Sequence, residues 1–238
     1  MTRRRWIADE VSGEKAALTG THAEHLVRVL RARVGQGFDI VAAGVVRRGR
    51  LSSIADGKVE FELGPEISSS PAPVNLTLLL AVFKFDRLEW AIEKVTELGV
   101  ARIVPVIARR TDAHLASAAV KRTERWRRIV VQAAEQSRRT APPEFSEPVK
   151  LQEALGLPGS LKIVLSETEQ VASLQDLIRA KESTSQVHMA IGPEGGWTED
   201  ELDLFRKEGW ISASLGPTIL RAETAAIASV AITMSLLS

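Results

Sequence analysis

The sequence predicts an α/β protein in which a small β-rich domain precedes a larger domain with a mainly parallel sheet. Three observations support this prediction. Short β-type runs dominate residues 1–70, a segment rich in serine and proline follows at residues 67–73, and strands alternate with helices from residue 74 onward. A segment of this composition is typical of a linker, and alternating strands and helices are typical of a parallel sheet. We therefore expect domains at residues 1–70 and 73–238.

The first domain carries three β-type runs, at residues 38–41, 45–54 and 59–63. The second and third runs are separated by Asp56-Gly57, a dipeptide that favours a tight hairpin. One helical pattern interrupts the strands at residues 22–30. Several short strands with a single helix predict a small barrel.

The second domain contains five apolar runs of strand length. These predicted strands lie at residues 76–82, 103–107, 161–165, 187–191 and 211–215. Helical patterns occupy the intervening segments, at residues 86–98, 118–139, 173–181, from 198 onward, and at 223–237. Asp86 is expected to cap the first of these helices, and Thr198 with Glu201 has the spacing of a capping box.

The composition excludes several classes of function. The chain has no cysteine, which excludes disulfides, a thiol nucleophile and a zinc–thiolate site. The P-loop, dinucleotide-binding, zinc-protease and EF-hand motifs are also missing from the sequence. Since there is no signal-peptide pattern and no apolar run of roughly 18 residues, we expect a soluble cytoplasmic protein.

Charge is distributed unevenly along a chain whose net charge is only +1. Residues 109–139 carry 9 basic and 3 acidic groups, whereas residues 140–238 carry 7 basic and 14 acidic groups. A basic belt next to an acidic half predicts a polyanionic partner bound on one face. A well-solvated basic helix would give the same pattern and remains the alternative.

Two glycine- and proline-rich segments, at residues 191–197 and 215–225, each follow a predicted strand and precede a predicted helix. Ligands bind where such loops meet at the carboxyl ends of parallel strands. Glycine lets the backbone approach a ligand closely, so we expect a pocket built largely from main-chain atoms. Arg221 and Glu223 stand at the start of the last helix, where polar ligands are attracted. Tight turns without a ligand remain the alternative.

Two polar clusters are open to more than one interpretation. His22 and His25 lie one turn apart but lack a nearby third metal ligand, so contact with RNA beside Arg28 and Arg31 is favoured. Residues 135–139, Glu-Gln-Ser-Arg-Arg, form either a solvated helix end or a cluster that holds a base or phosphate. Glutamine can read a base edge, and arginine can pair with a phosphate through two hydrogen bonds.

These motifs together resemble the 16S ribosomal RNA uracil-N3 methyltransferases of the SPOUT superfamily. Residues 191–196 and 215–225 resemble the cofactor loops of that family. Further matches to the family lie at residues 25–31, 94–100 with Pro105, 124–126 and 134–138. The resemblance covers nearly the whole chain. Family members usually carry arginine in place of Thr218, and phenylalanine is commoner than Trp197.

The resemblance implies a fold and a reaction. The fold is an N-terminal PUA-like β-barrel followed by an α/β domain with a trefoil knot, in a homodimer. The reaction is methylation of N3 of a specific uridine in 16S rRNA of the small ribosomal subunit, with S-adenosyl-L-methionine as methyl donor and no metal. Rival hypotheses are the same chemistry on transfer RNA, an assembly factor that binds RNA without catalysis, and a nucleotide-phosphate enzyme that would need a lysine motif absent here.

The resemblance also assigns site residues. The cofactor is expected to bind, mostly through main-chain atoms, at Leu165, Ile191, Gly192, Gly195, Gly196, Leu215, Gly216, Leu220 and Ala225. Arg221 is expected to stabilise negative charge on the uracil oxygens, with Arg138 as an alternative. Glu223 either accepts the N3 proton or caps its helix. RNA is expected at Arg3, Arg5, His25, Arg28, Arg31, Gln136, Arg138 and Arg139.

Overall fold

The structure is a computed structural model that describes residues 5–67, 74–159, 161–181 and 185–237. The chain divides into two compact units. The first comprises residues 1–71 and 134–142, and the second comprises residues 72–133 and 143–238. The domain boundary expected from the sequence falls on residues 68–73, outside the described residues, and stays a prediction. The sequence did not predict that residues 134–142 group with the first unit.

The first unit is built on a six-stranded sheet in the order β1-β4-β5-β6-β3-β2. Its strands are β1 (Arg5–Ile7), β2 (Glu10–Ser12), β3 (Lys15–Thr19), β4 (Gly37–Ala42), β5 (Val45–Ala55) and β6 (Lys58–Glu66). The three predicted strands are confirmed as β4, β5 and β6, whereas the first three strands were not predicted. The two edge strands, β1 and β2, are separated only by Ala8 and Asp9. The ends of these strands therefore lie at most about 11 Å apart, so the sheet curls until its edges approach each other.

The β5–β6 connection confirms the hairpin that Asp56-Gly57 predicted. The two strands pair antiparallel, and the turn residues have φ of +46° and +73°. Positive φ at both central positions is the mark of the type I′ turn that Asp-Gly favours. The predicted helix at residues 22–30 is divided into α1 (Gly20–Glu24) and a π-helical turn at His25–Val29. Such turns are frequent at functional sites.

The second unit contains a seven-stranded sheet in which all strand pairs are parallel, as the sequence predicted. The order is β10-β8-β7-β12-β11-β13, with β9 also paired to β8. The strands are β7 (Asn75–Ala81), β8 (Arg102–Ile107), β9 (Glu144–Phe145), β10 (Val149–Lys150), β11 (Leu161–Leu165), β12 (Gln186–Ile191) and β13 (Ile211–Ala213). Buried apolar side chains cover both of its faces, which explains why the strand sequences are almost continuously apolar.

The helices are α2 (Phe85–Glu97), α3 (Ala113–Gln136), α4 (Leu151–Leu155), α5 (Leu174–Arg179), α6 (Glu199–Lys207) and α7 (Ala222–Leu237). The expectation that Asp86 caps α2 was wrong, because the helix begins at Phe85 and Asp86 lies in its first turn. The capping box of Thr198 and Glu201 is confirmed at α6. None of the helices in the described part of the chain combines the length and apolar character needed to cross a lipid bilayer.

Candidate functional site

One cavity of about 380 Å³ lies at the carboxyl ends of three adjacent strands, β12, β11 and β13. Its walls come from residues 165–168 after β11, from the first glycine loop (residues 192–198) and from the second glycine loop (residues 214–221). Arg87 of α2 completes the lining. The cavity therefore occupies the position where open parallel sheets bind their ligands, and both glycine loops predicted from the sequence contribute to it.

The first glycine loop is held in place by hydrogen bonds. Gly196 N donates to Pro193 O at 2.9 Å, which closes a tight turn. Arg110 donates from Nη1 to Gly195 O at 2.6 Å and to Trp197 O at 3.3 Å. Gly196 has a φ of +69°, which an L-residue rarely adopts. This loop is thus preformed around its own main chain.

Trp197 fixes the same loop against the sheet. Its indole Nε1 donates to Leu165 O at 3.2 Å, and its ring packs edge-on against Phe205 with centroids 4.9 Å apart. A Cβ atom on Gly192 would lie 3.3 Å from this indole. Glycine at position 192 therefore makes room for a tryptophan where the family more often has phenylalanine.

The second glycine loop has a different construction. Its first residue is anchored, since Ser214 N donates to Ala172 O at 2.8 Å and Leu174 N donates to Ser214 O at 3.0 Å. Residues 215–220, by contrast, make no hydrogen bond to any other described residue. Ile219 is 82% exposed, and Gly216 has a φ of +119°. The main-chain N–H and C=O groups of residues 215–220 are consequently available to a ligand.

Two titratable groups stand where the second glycine loop enters α7. Arg221 is exposed and lines the cavity, and its carbonyl oxygen accepts the first helical hydrogen bond, from Ala225 N at 2.8 Å. Glu223 is buried, with a side chain only 6% exposed, and it is not among the residues that line the cavity. Its Oε1 lies 3.8 Å from Arg87 Nη1. Glu223 thus contacts the cavity through Arg87.

The cavity gathers most of the predicted cofactor residues. Those lining it are Leu165, Ile191, Gly192, Gly196, Leu215, Gly216, Leu220 and Ala225. Gly195 does not line it, because its main chain is engaged by Arg110. Sequence reasoning missed Arg87 and residues 166–168, which also line it. Neither carries a motif, although their position after β11 could have indicated residues 166–168.

Comparison with known proteins identifies the family. The model of a family described as the RNA methyltransferase domain matches residues 70–234. The chain belongs to the RNA methyltransferase family.

The relatives of this RNA methyltransferase are similar over most of their length. A ribosomal RNA small subunit methyltransferase E from Synechocystis sp. is 33% identical over 222 residues, covering 91% of this chain and 72% of that protein. One from Rickettsia conorii is 32% identical over 220 residues, covering 91% of this chain and 88% of the relative. The crystal structure of one from Neisseria gonorrhoeae, bound to S-adenosyl methionine, has a TM-score of 0.88 and 30% identity and covers 98% of both chains.

Most of the predicted RNA-binding residues of the methyltransferase lie in its first unit, although they come from distant parts of the chain. Gln136, Arg138 and Arg139 belong to the 134–142 segment of that unit. Arg5 Nη1 donates to the carbonyl oxygen of Arg138, and the His25 ring lies 5.8 Å from that of Trp6. Arg139 is half-buried, and this burial lowers the pKa of its guanidinium. Arg3 lies outside the described residues.

Two of these arginines have an unusual backbone conformation. Arg31 has a φ of +52° and Arg138 a φ of +61°. Each follows a helix end that is closed by a hydrogen bond across it, from Ala32 N to Leu26 O at 3.1 Å and from Arg139 N to Ala134 O at 2.9 Å. This is the position after a helix where glycine is usual. Arginine is therefore present in both places despite an unfavourable backbone conformation.

The basic helix α3 carries less unpaired charge than the sequence suggested. Arg122 and Arg125 both pair with Glu89 of α2, at 3.4 and 2.7 Å. Arg127 pairs with Glu147 at 2.7 Å. Among the described residues, those of the 121–128 segment without a carboxylate partner are Lys121 and Arg128. Much of this belt is thus neutralised within the protein, which favours the interpretation as a solvated helix.

The histidine pair of the first unit has carboxylate neighbours. His22 Nδ1 lies 3.4 Å from Asp9 Oδ1, and its Nε2 lies 3.7 Å from Glu135 Oε1. In the described residues, no group of three or more histidine, cysteine, aspartate or glutamate side chains could hold one metal ion. His188 is buried in β12, and burial, together with the charges of Lys162 and Arg102, lowers its pKa.

Proposed function

We propose that this protein methylates N3 of a specific uridine in 16S rRNA of the small ribosomal subunit, with S-adenosyl-L-methionine as donor. The small-subunit substrate is supported by the relatives named ribosomal RNA small subunit methyltransferase E, and the donor by the similar structure bound to S-adenosyl methionine. The observation that carries the proposal is the cavity whose second glycine loop offers unbonded main-chain groups. Such a substrate places the enzyme in the cytoplasm.

The residues of the cavity suit a nucleoside with a positively charged substituent. The unbonded N–H and C=O groups of residues 215–220 can pair with the edge of an adenine, while Leu165, Ile191 and Leu220 provide apolar surface for its faces. Glu167 and Glu194 bring negative charge to the lining, which favours a cation. When bound, S-adenosylmethionine supplies a methyl group on a positively charged sulfur, so the protein itself need not activate that group.

Two tasks remain for the side chains: to hold the uracil and to manage its N3 proton. The base has to be unpaired before N3 can react. Loss of the proton leaves negative charge on the ring oxygens, and Arg221 stands exposed at the mouth of the cavity, where it can stabilise that charge. Glu223 lies behind Arg87 in the first turn of α7, a position that favours a structural role over direct acceptance of the proton.

The first unit is the proposed PUA-like RNA-binding barrel. Its sheet curls between edges joined by Ala8 and Asp9, and it contains the described arginine candidates. The unfavourable backbone of Arg31 and Arg138 supports a function for their side chains, because strained residues cluster at functional sites. The trefoil knot of the second unit stays a prediction from the resemblance.

We further propose that two copies associate. Helix α7 is apolar around its whole circumference, yet Ile227, Ile232, Leu236 and Leu237 are only partly buried. A helix of this kind is normally covered on all sides, and a second copy of the chain would cover the remainder. Sedimentation equilibrium should give twice the monomer mass, and a monomer at all concentrations would contradict the homodimer.

The activity is tested by mapping methylated nucleosides in RNA from cells that lack this protein. One methylated uridine should disappear from 16S rRNA and return when the wild-type gene is restored. Loss of a methyl group from transfer RNA instead would favour the same chemistry on another substrate. No saturable binding of S-adenosylmethionine to the purified protein would favour an assembly factor without catalysis.

A further inference from the structure

Arg87 is the cation of the cavity that the proteins' sequence motifs do not reveal. It lies in the first half of α2, lines the cavity and has a side chain 34% exposed. The other arginine in the lining, Arg221, is exposed and belongs to the loosely held second glycine loop. Of these two cations, Arg87 is therefore the one presented from a regular and well-packed element.

The hydrogen-bonding pattern of Arg87 leaves part of its guanidinium available. Its Nη1 lies 3.3 Å from Glu194 Oε1 and 3.8 Å from Glu223 Oε1. Its Nε and Nη2 atoms have no hydrogen bond to any described residue. Since a guanidinium presents five N–H donors in a planar fork, a second anionic group can bind at the remaining edge.

Glu223 fixes Arg87 from behind. Its side chain is 6% exposed, and its Oε2 has no hydrogen-bond partner in the described part of the chain. A buried carboxylate is unfavourable unless a cation neutralises it. The cation nearest to it is Arg87, so the two side chains hold each other, while Glu223 itself is fixed in the first turn of α7.

The proposed cofactor has one group that needs such a cation. Its methionine end carries a carboxylate and an ammonium group, and arginine matches the geometry of a carboxylate through two parallel hydrogen bonds. We infer that Arg87 binds the carboxylate of the methionine end of the cofactor, and that Glu223 is a positioning residue for Arg87. This inference rests on the proposed function, because it takes S-adenosylmethionine as the occupant of the cavity.

Two ligands that share an adenosine test the inference by calorimetry. S-adenosylhomocysteine has the amino-acid end, whereas 5′-methylthioadenosine lacks it. Arg87→Ala should weaken binding of S-adenosylhomocysteine by about 10- to 100-fold, because hydrogen bonds to a charged group are lost. It should leave the affinity for 5′-methylthioadenosine within about twofold. Arg87→Lys should restore part of the loss, because the charge returns without the fork.

Glu223→Gln tests the positioning role. The variant keeps the shape of the side chain but removes the charge that holds Arg87, so binding of S-adenosylhomocysteine should weaken by roughly 3- to 10-fold with 5′-methylthioadenosine unchanged. Equal weakening of both ligands would mean that Glu223 supports only the fold of α7. Thermal denaturation of each variant shows that the folded state is retained.

Arg125→Ala is the matched control. Arg125 also pairs with a glutamate of α2, Glu89, but does not line the cavity, so binding of both ligands should stay unchanged. Three results would overturn the inference: an unchanged affinity in Arg87→Ala, an equal loss for both ligands, or a selective loss in Arg221→Ala but not in Arg87→Ala. If the wild-type protein binds neither ligand, the proposed function itself fails.

Discussion

The two units of the chain treat the left-handed backbone conformation in opposite ways. Among the described residues, the four non-glycine residues with positive φ all belong to the first unit: Arg31, Ala43, Asp56 and Arg138. In the second unit, the described residues with positive φ are all glycine, including Gly196 and Gly216 at the cavity. The same backbone conformation is thus occupied by large side chains in one unit and by none in the other.

This difference reflects what each unit offers to a ligand. A Cβ atom on Gly196 would lie 3.0 Å from Glu167 Oε1, so the cavity wall has no room for a side chain there. The left-handed conformation is unfavourable for arginine by roughly 1 kcal/mol. Its presence at residues 31 and 138 indicates that the first unit acts through charged side chains. The cavity, by contrast, presents main chain.

Arg221 provides the largest effect that could break this comparison, because it is an exposed side chain on the main-chain cavity. Arg221→Ala should lower turnover about 100- to 1000-fold, since charge on the uracil oxygens loses its stabilisation. The affinity for the cofactor should stay within about threefold. Methyl transfer is measured alongside calorimetry, with Thr218→Ala as an uncharged control in the same loop. Turnover like that of the wild type would remove Arg221 from the mechanism.

Gly196→Ala should show what the glycine wall of the cavity contributes. The added methyl group would push the Glu167 side chain from its place and should weaken cofactor binding about tenfold, or about 1.4 kcal/mol. The positive φ should lower the free energy of unfolding by about 1–2 kcal/mol.

Gly209→Ala is the matched control for this change. Gly209 has a φ of +76°, close to that of Gly196, but an added Cβ would meet no atom within 4 Å. Its stability should fall by a similar amount, about 1–2 kcal/mol, while cofactor affinity stays unchanged. Equal losses of affinity in the two variants would show that backbone strain alone is responsible.

The arginines of the first unit should give the smallest effect on stability and a distinct one on RNA. Arg31→Gly and Arg138→Gly relieve an unfavourable conformation, so the free energy of unfolding should stay level or rise by up to about 1 kcal/mol. Binding of 16S rRNA should weaken nonetheless. Its salt dependence should become shallower by about one unit of slope for each lost phosphate contact.

Ala43→Gly separates the two consequences. Ala43 has a φ of +49° in the same unit, so glycine relieves a similar backbone strain without removing a charge. RNA affinity and its salt dependence should stay unchanged in this variant. If they change as much as in Arg31→Gly, the guanidinium groups do not contact the RNA.

Much of the fold was predictable because its signals are local. Continuous apolar runs gave the strands β7, β8, β11 and β12 within one or two residues at each end, and Thr198 with Glu201 gave the start of α6. The strands β1, β2 and β3 were missed because they are short and two of them are largely exposed. Their positions are set by pairing with distant strands, which periodicity cannot reveal.

The candidate site was predictable where glycine marked it and not where contacts across the fold made it. The two glycine loops were found from their composition and their place between strand and helix. Arg87 is one arginine among many in the sequence, and only the folding of α2 beside the loops brings it to the cavity. The neutralisation of α3 was equally hidden, because Glu89 lies on a different helix from its partners Arg122 and Arg125.

The placement of β1 and β2 on opposite edges of one sheet makes the first few residues a clasp. Residues 5–12 cover β4 on one side and β3 on the other. Trimming them would leave two unpaired strand edges at once, and such edges recruit strands from other molecules. A shortened protein should therefore precipitate or self-associate through this unit, even though every residue of the cavity is still present.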